Sequence, residues 1–67
     1  MSDFETDWLG DLIRRKRSCL AQLLQLGMTQ LELVRAGRIN DLLELLAAKQ
    51  HVLIQVQQLE RQLDRFR

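Results

Sequence analysis

The 67-residue sequence has no proline and no tyrosine, and it contains only three glycines, two phenylalanines and one tryptophan. Residues that favour strands are also scarce, with three valines, three isoleucines and two threonines. Leucine alone fills fifteen positions, and most of the remainder are Gln, Arg, Glu and Ala, which are good helix formers. These shortages exclude a sheet-rich fold. The composition predicts an all-α chain that forms a single domain over residues 1–67.

Several classes of site are excluded by residues that occur once or not at all. The single cysteine, Cys19, rules out an intrachain disulfide, and with one histidine, His51, it is too little for a zinc site. No glycine-rich phosphate loop and no catalytic triad is present, so we expect no enzyme, cofactor or metal. Net charge is only +1, which argues against both disorder and a strongly basic nucleic-acid domain.

Segments that would send the chain into or across a membrane are also missing. There is no apolar run of membrane-spanning length, and the acidic start lacks the pattern of a secretory signal. We therefore expect no membrane span and a cytoplasmic location.

Gly37 is the one strong interruption of the helical pattern. A glycine just past a helix end suits the left-handed capping conformation. The sequence thus predicts a helix at about 4–36, a turn at about 37–39 and a second helix at about 40–66. So short a connection makes the helices antiparallel, as a helical hairpin.

Both helices have candidate capping residues at their starts. Ser2 and Glu5 have the spacing of a capping box for the first helix. Asn40 and Asp41 follow the turn, and we expect them to cap the second helix.

The second helix carries a nearly unbroken heptad pattern, which predicts a seam against another helix. Seven of its eight seam positions are apolar; the seam is Leu42, Leu45, Lys49, Val52, Val56, Leu59, Leu63 and Phe66. The apolar set of the first helix is broader, which suggests more than one neighbour. That set is Leu9, Leu12, Ile13, Leu20, Leu23, Leu24, Leu31 and Val34.

Two helices of this size bury a small core, because a chain of about 60 residues hides only ~60% of its unfolded surface. We therefore expect the hairpin to complete a bundle with another chain, either a second copy or a helical client. The residues predicted to form that interface are Leu20, Leu23, Leu24, Leu31, Leu42, Leu45, Val52, Val56, Leu59 and Leu63.

Four consecutive cations at 14–17 form the most conspicuous local feature. Arg14, Arg15 and Arg17 could contact phosphate, as in a small dimeric RNA-binding hairpin. Successive residues on a helix point about 100° apart, however, so the run wraps the helix and favours a solvated collar. No aromatic residue is interleaved to stack on bases.

A stretch across the turn, Gln30 to Gln50, resembles the flagellar export chaperone family of the FlgN type. In that family a long helix ends at a glycine, and a short link starts a leucine-rich second helix with a basic residue about a dozen positions on. The matching residues here are Gly37, Ile39, Leu42, Leu43, Leu45, Leu46 and Lys49. Arg38 stands where the family usually has an acidic residue.

The resemblance implies a non-enzymatic binding module that holds hook–filament junction subunits before their export by type III secretion. Binding would be of the helix-in-groove kind, with an amphipathic client segment. Two alternatives remain open from the residues alone: the RNA-binding hairpin, for which nucleic acid is the less favoured partner, and a self-associating coiled-coil scaffold.

Overall fold

Two long helices make up nearly all of the computed structural model, which describes residues 3–66. Helix α1 spans Asp3–Ala36 and helix α2 spans Ile39–Leu63, followed by a short 3-10 turn at Asp64–Phe66. The helices pack antiparallel, which confirms the predicted all-α helical hairpin. Ser2, the first member of the predicted capping box, lies outside the described residues.

The turn between the helices is built on Gly37, which has a positive φ of 69°. Its N–H donates to the carbonyl of Val34 at 3.2 Å, and the N–H of Arg38 donates to the carbonyl of Leu33 at 3.1 Å. This pair of bonds is the Schellman motif, which satisfies carbonyls that the end of α1 would otherwise leave without donors. The predicted glycine cap is therefore present, in the expected left-handed conformation.

The predicted cap of α2 is wrong. Arg38 occupies the N-cap position and makes no side-chain capping bond, so Asn40 and Asp41 lie inside the first turn. The reason is that α2 begins at once after the Schellman turn, one residue before the predicted start. Asp41 acts instead as an acidic group near the positive end of the helix dipole, and it forms an ion pair with Arg38.

A single stripe from each helix forms the hairpin core. Leu12 is fully buried, and it clusters with the buried residues Cys19, Val52, Leu59 and Leu63. At the open end of the hairpin, the rings of Trp8 and Phe66 meet with centroids 5.4 Å apart; partly buried neighbours of the core are Trp8, Leu9, Leu23, Leu26, Val56 and Phe66.

The molecule is a rod, with principal extents of 52 × 15 × 15 Å. Its radius of gyration is 15.6 Å, whereas a compact domain of this length has about 11 Å. Because a two-helix rod has no interior beyond one seam, every apolar side chain off that seam is left at the surface.

Candidate partner-binding face

One side of the hairpin carries exposed apolar residues along most of α1 and along the part of α2 nearest the turn, and we call it the apolar face. Most of its members follow a buried or partly buried residue by one position, and thus lie about 100° around the helix from the seam. In an antiparallel pair, this offset turns both stripes towards the same side. The apolar face consists of Ile13, Leu20, Leu24, Leu31 and Val34 on α1 and Ile39, Leu43, Leu46 and Leu53 on α2.

The exposed fraction of the members of the apolar face ranges from 38% at Ile13 and Leu53 to 70% at Leu24. Leu24 is 70% exposed and Leu43 is 60% exposed, and the other seven residues are also classed among the exposed large hydrophobics. Scattered surface leucines need no explanation, but several large apolar side chains exposed on one side of a molecule mark an interaction surface.

The opposite side of the hairpin is polar, and we call it the glutamine side. A shallow groove of about 370 Å³ runs there between the helices. It is lined mostly by uncharged polar side chains: Arg15, Ser18, Cys19, Gln22, Gln55, Gln58, Leu59 and Gln62. The two sides thus differ in residue type, although a second groove on the glutamine side is lined by Gln22, Gln25, Leu26, Ala48 and Val52.

Two polar contacts lie at the boundary between the seam and the apolar face. Lys16 forms an ion pair with Glu60, and the Lys49 Nζ donates to the Gln30 Oε1 at 3.2 Å. Both lysines occupy seam positions, where a long side chain can bury its stem and bring its charge out to the edge. Within residues 3–66, no buried side-chain nitrogen or oxygen lacks a hydrogen-bond partner.

A notch interrupts the apolar face at Gly27. A Cβ placed on this glycine would meet nothing within 4 Å, so no packing inside the hairpin requires the missing side chain. An open groove of about 390 Å³ lies here, lined by Gly27, Gln30, Leu31, Val34 and Lys49. Since glycine within a helix is unfavourable by up to ~1 kcal/mol, the notch is a feature that local helix stability does not explain.

The structure divides the predicted interface residues into two groups. Leu20, Leu24 and Leu31 lie on the apolar face, where a partner can reach them. The others are partly or fully buried in the hairpin's own helix–helix contact and expose less surface to a partner: Leu23, Leu42, Leu45, Val52, Val56, Leu59 and Leu63.

Sequence reasoning did not include several members of the apolar face among the site residues. These are Ile13, Val34, Ile39, Leu43, Leu46 and Leu53. The signal that could have found them is a second apolar repeat displaced by one residue from the seam repeat, visible in pairs such as Leu12–Ile13 and Leu23–Leu24.

The basic run does not form one surface. Arg14 and Arg15 both reach back to Asp11, at 3.9 Å and 2.9 Å, so part of their charge is neutralised locally. Arg15 lines the groove on the glutamine side, whereas Arg17 lines a groove of about 540 Å³ at the edge of the apolar face. The cations thus point around the helix as the spacing predicts.

The remaining candidate residues have ordinary structural surroundings. Cys19 is a free thiol buried in the core cluster, and His51 is exposed. Trp8 packs on Phe66, and the guanidinium of Arg65 lies 5.5 Å from the centroid of its ring. Over the described part of the chain, no group of three His, Cys, Asp or Glu side chains could hold a metal ion.

Comparison of the chain with protein-family models, with curated proteins and with solved structures found no match. Neither helix, over residues 3–66, has the length and apolar character needed to cross a membrane.

Proposed function

We propose that the chain is a non-enzymatic helix-binding module that holds an amphipathic helix of a partner protein against its apolar face. The observation that supports this is the contrast between the two sides of the hairpin. One side presents nine large apolar residues, and the other is lined by glutamines and a few charged or small side chains. Folding as a hairpin does not by itself require these nine apolar residues on one side.

A helix is the ligand that this surface fits best. Two antiparallel helices leave a straight groove between them, and a third helix laid in that groove completes a small bundle. The apolar face runs along α1 from Ile13 to Val34, about 30 Å at ~1.5 Å rise per residue, which suits a helical segment of several turns. The notch at Gly27 lets a large side chain of the incoming helix enter the groove.

We further propose that the partner is a subunit of the flagellar hook–filament junction, held in the cytoplasm before type III export. This step relies on the resemblance of residues 30–50 to the flagellar export chaperones of the FlgN type. A chaperone of this kind needs an exposed apolar surface to cover the apolar surface of its client. The apolar face is such a surface, and it includes Ile39, Leu43 and Leu46 of the resembling stretch.

The proposal is tested by titrating a fluorescently labelled hook–filament junction subunit from the same organism with the purified chain. We expect saturable binding that the double variant Leu24→Glu/Leu31→Glu weakens by at least about tenfold, because it places two charges in the centre of the contact. The matched control is Gln25→Glu/Gln58→Glu, which adds the same charge away from the apolar face and should leave affinity unchanged. Equal losses in both variants, or no binding by the native chain, would refute the proposal.

The RNA-binding alternative is separated by a second variant. Replacing Arg14, Arg15 and Arg17 together by Gln removes the charges that would hold phosphate. Under the proposed function this triple variant binds the labelled client as well as the native chain does. Retention of labelled RNA by the native chain, and its loss in the triple variant, would favour the alternative.

A further inference from the structure

We propose that, in the absence of a client, a second copy of the chain covers the apolar face, and that the two hairpins lie side by side with their turns at the same end. The result is a symmetric four-helix bundle. The second copy occupies the same face as in the proposed function, so a client must displace it in order to bind.

The surface area of the hairpin is the first argument. Its accessible surface is 5301 Å², whereas a compact protein of this mass exposes about 4,400 Å². The excess of about 900 Å² is close to the roughly 800 Å² that each partner buries in a standard stable interface. Burying one face of the rod against a second copy would therefore remove this excess of accessible surface.

The register between the helices is the second argument, because it decides which residues lie at the same height. The Lys16–Glu60 and Lys49–Gln30 contacts place Leu31 level with Leu46 and Leu24 level with Leu53. A two-fold axis along the rod brings α1 of one copy over α2 of the other without changing height. Leu24 and Leu31 then meet Leu53 and Leu46 of the second copy, so leucine faces leucine in the half of the bundle nearer the turns.

Charge complementarity points to the same arrangement. Arg17 lies at the edge of the apolar face, level with Glu60. In the parallel bundle, Arg17 of each copy comes opposite Glu60 of the other, so that each Glu60 lies between Lys16 of its own chain and Arg17 of the second copy.

An antiparallel pairing of the two hairpins fits less well. With the rods fully overlapped and reversed, the leucines near the turn would lie over the charged open end, where Lys16 and Arg17 are located. Sliding the rods to avoid that contact would leave much of the face uncovered. The parallel arrangement overlaps the two rods fully, brings the leucines nearer the turn together and keeps Arg17 opposite an acidic residue.

The oligomeric state is measured on the native full chain by sedimentation equilibrium over a concentration series. We expect a dimer, and we expect the Leu24→Glu/Leu31→Glu variant to be monomeric with at least about a tenfold weaker self-association. The Gln25→Glu/Gln58→Glu control should stay dimeric. Circular dichroism checks that each variant remains helical. A native chain that is monomeric at every concentration, or a dimer that the leucine variant leaves intact, overturns the inference.

The orientation is measured by spin labels placed near the turn, at Asn40→Cys in a Cys19→Ala background. Turns at the same end give a label-to-label distance under about 30 Å, since packed helices are only 8–10 Å apart. Reversed hairpins give a distance close to the 52 Å length of the rod, which would overturn the parallel arrangement. Failure of client binding with an intact dimer would refute only the proposed function, and a monomer that binds client would refute only this inference.

Discussion

Leu12 is the residue on which the hairpin core depends most, because it is the largest side chain that the fold buries completely. We expect Leu12→Ala to lower the free energy of unfolding by about 2–4 kcal/mol, through lost apolar burial and the cavity left behind. Ile54→Ala removes similar volume from the exposed surface, and we expect a change within about 0.5 kcal/mol. Urea unfolding followed by circular dichroism measures both. Equal losses at the two positions would mean that the core lies elsewhere.

Gly37 and Gly10 differ in their structural roles, and substitution by alanine should have opposite effects at the two positions. Gly37 holds a positive φ of 69°, so Gly37→Ala should destabilise the hairpin by about 1 kcal/mol. Gly10 lies within α1, and its added Cβ would meet only the end of the Arg14 side chain at 3.5 Å. Gly10→Ala should therefore stabilise by up to ~1 kcal/mol. Melting temperatures that shift in the same direction for both variants would contradict this account of the turn.

Pairing of the two helices includes one polar contact that a purely apolar seam would not need. Lys49 occupies a seam position and donates to Gln30 across the interface. Replacing both by Leu should raise the free energy of unfolding by roughly 1 kcal/mol or more, because apolar side chains pack in a helix seam better than a hydrogen-bonded polar pair does. Without this specific polar contact, the register between α1 and α2 should be less well defined. Gln22→Leu/Gln55→Leu, on the glutamine side, is the matched control, with a smaller expected gain in thermal melting.

The seam residues of α2 could be predicted from the sequence, whereas those of α1 could not. The seam of α2 was predictable because its heptad is interrupted only at Lys49. The seam of α1 was not, because Leu23 and Leu24 both belong to apolar repeats, one position apart. Periodicity places a residue around its own helix, but only packing against α2 decides that Leu23 is partly buried while Leu24 is 70% exposed.

In the turn, too, one feature was predictable from a single residue and another was not. The left-handed cap was predictable because glycine is the residue that adopts positive φ most readily. The expected cap by Asn40 or Asp41 was wrong because the Schellman bonds of Gly37 and Arg38 fix the chain direction, and α2 starts directly from it. The start of α2 depends on the backbone conformation of several consecutive residues, and the capping preference of a single side chain does not predict it.

At the scale of the whole molecule, the apolar face follows from a shortage of partners within one chain. Two helices share a single line of contact, so a second apolar stripe on each has nowhere to pack. The face is therefore a property of the pair: neither helix alone shows that the two stripes meet on one side. This is why sequence reasoning predicted a second neighbour but assigned the contact largely to residues, such as Leu45 and Val52, that the hairpin itself buries.

A molecule completed by a second copy must become more stable as its concentration rises, because association favours the folded state by mass action. We expect the melting temperature of the native chain to increase steadily over a hundredfold concentration range. That range corresponds to roughly 2.7 kcal/mol of added stability per dimer. Leu24→Glu/Leu31→Glu should melt at a temperature independent of concentration, and Gln25→Glu/Gln58→Glu should behave like the native chain. A native melting temperature that does not change with concentration would show that the hairpin is stable with its apolar face uncovered.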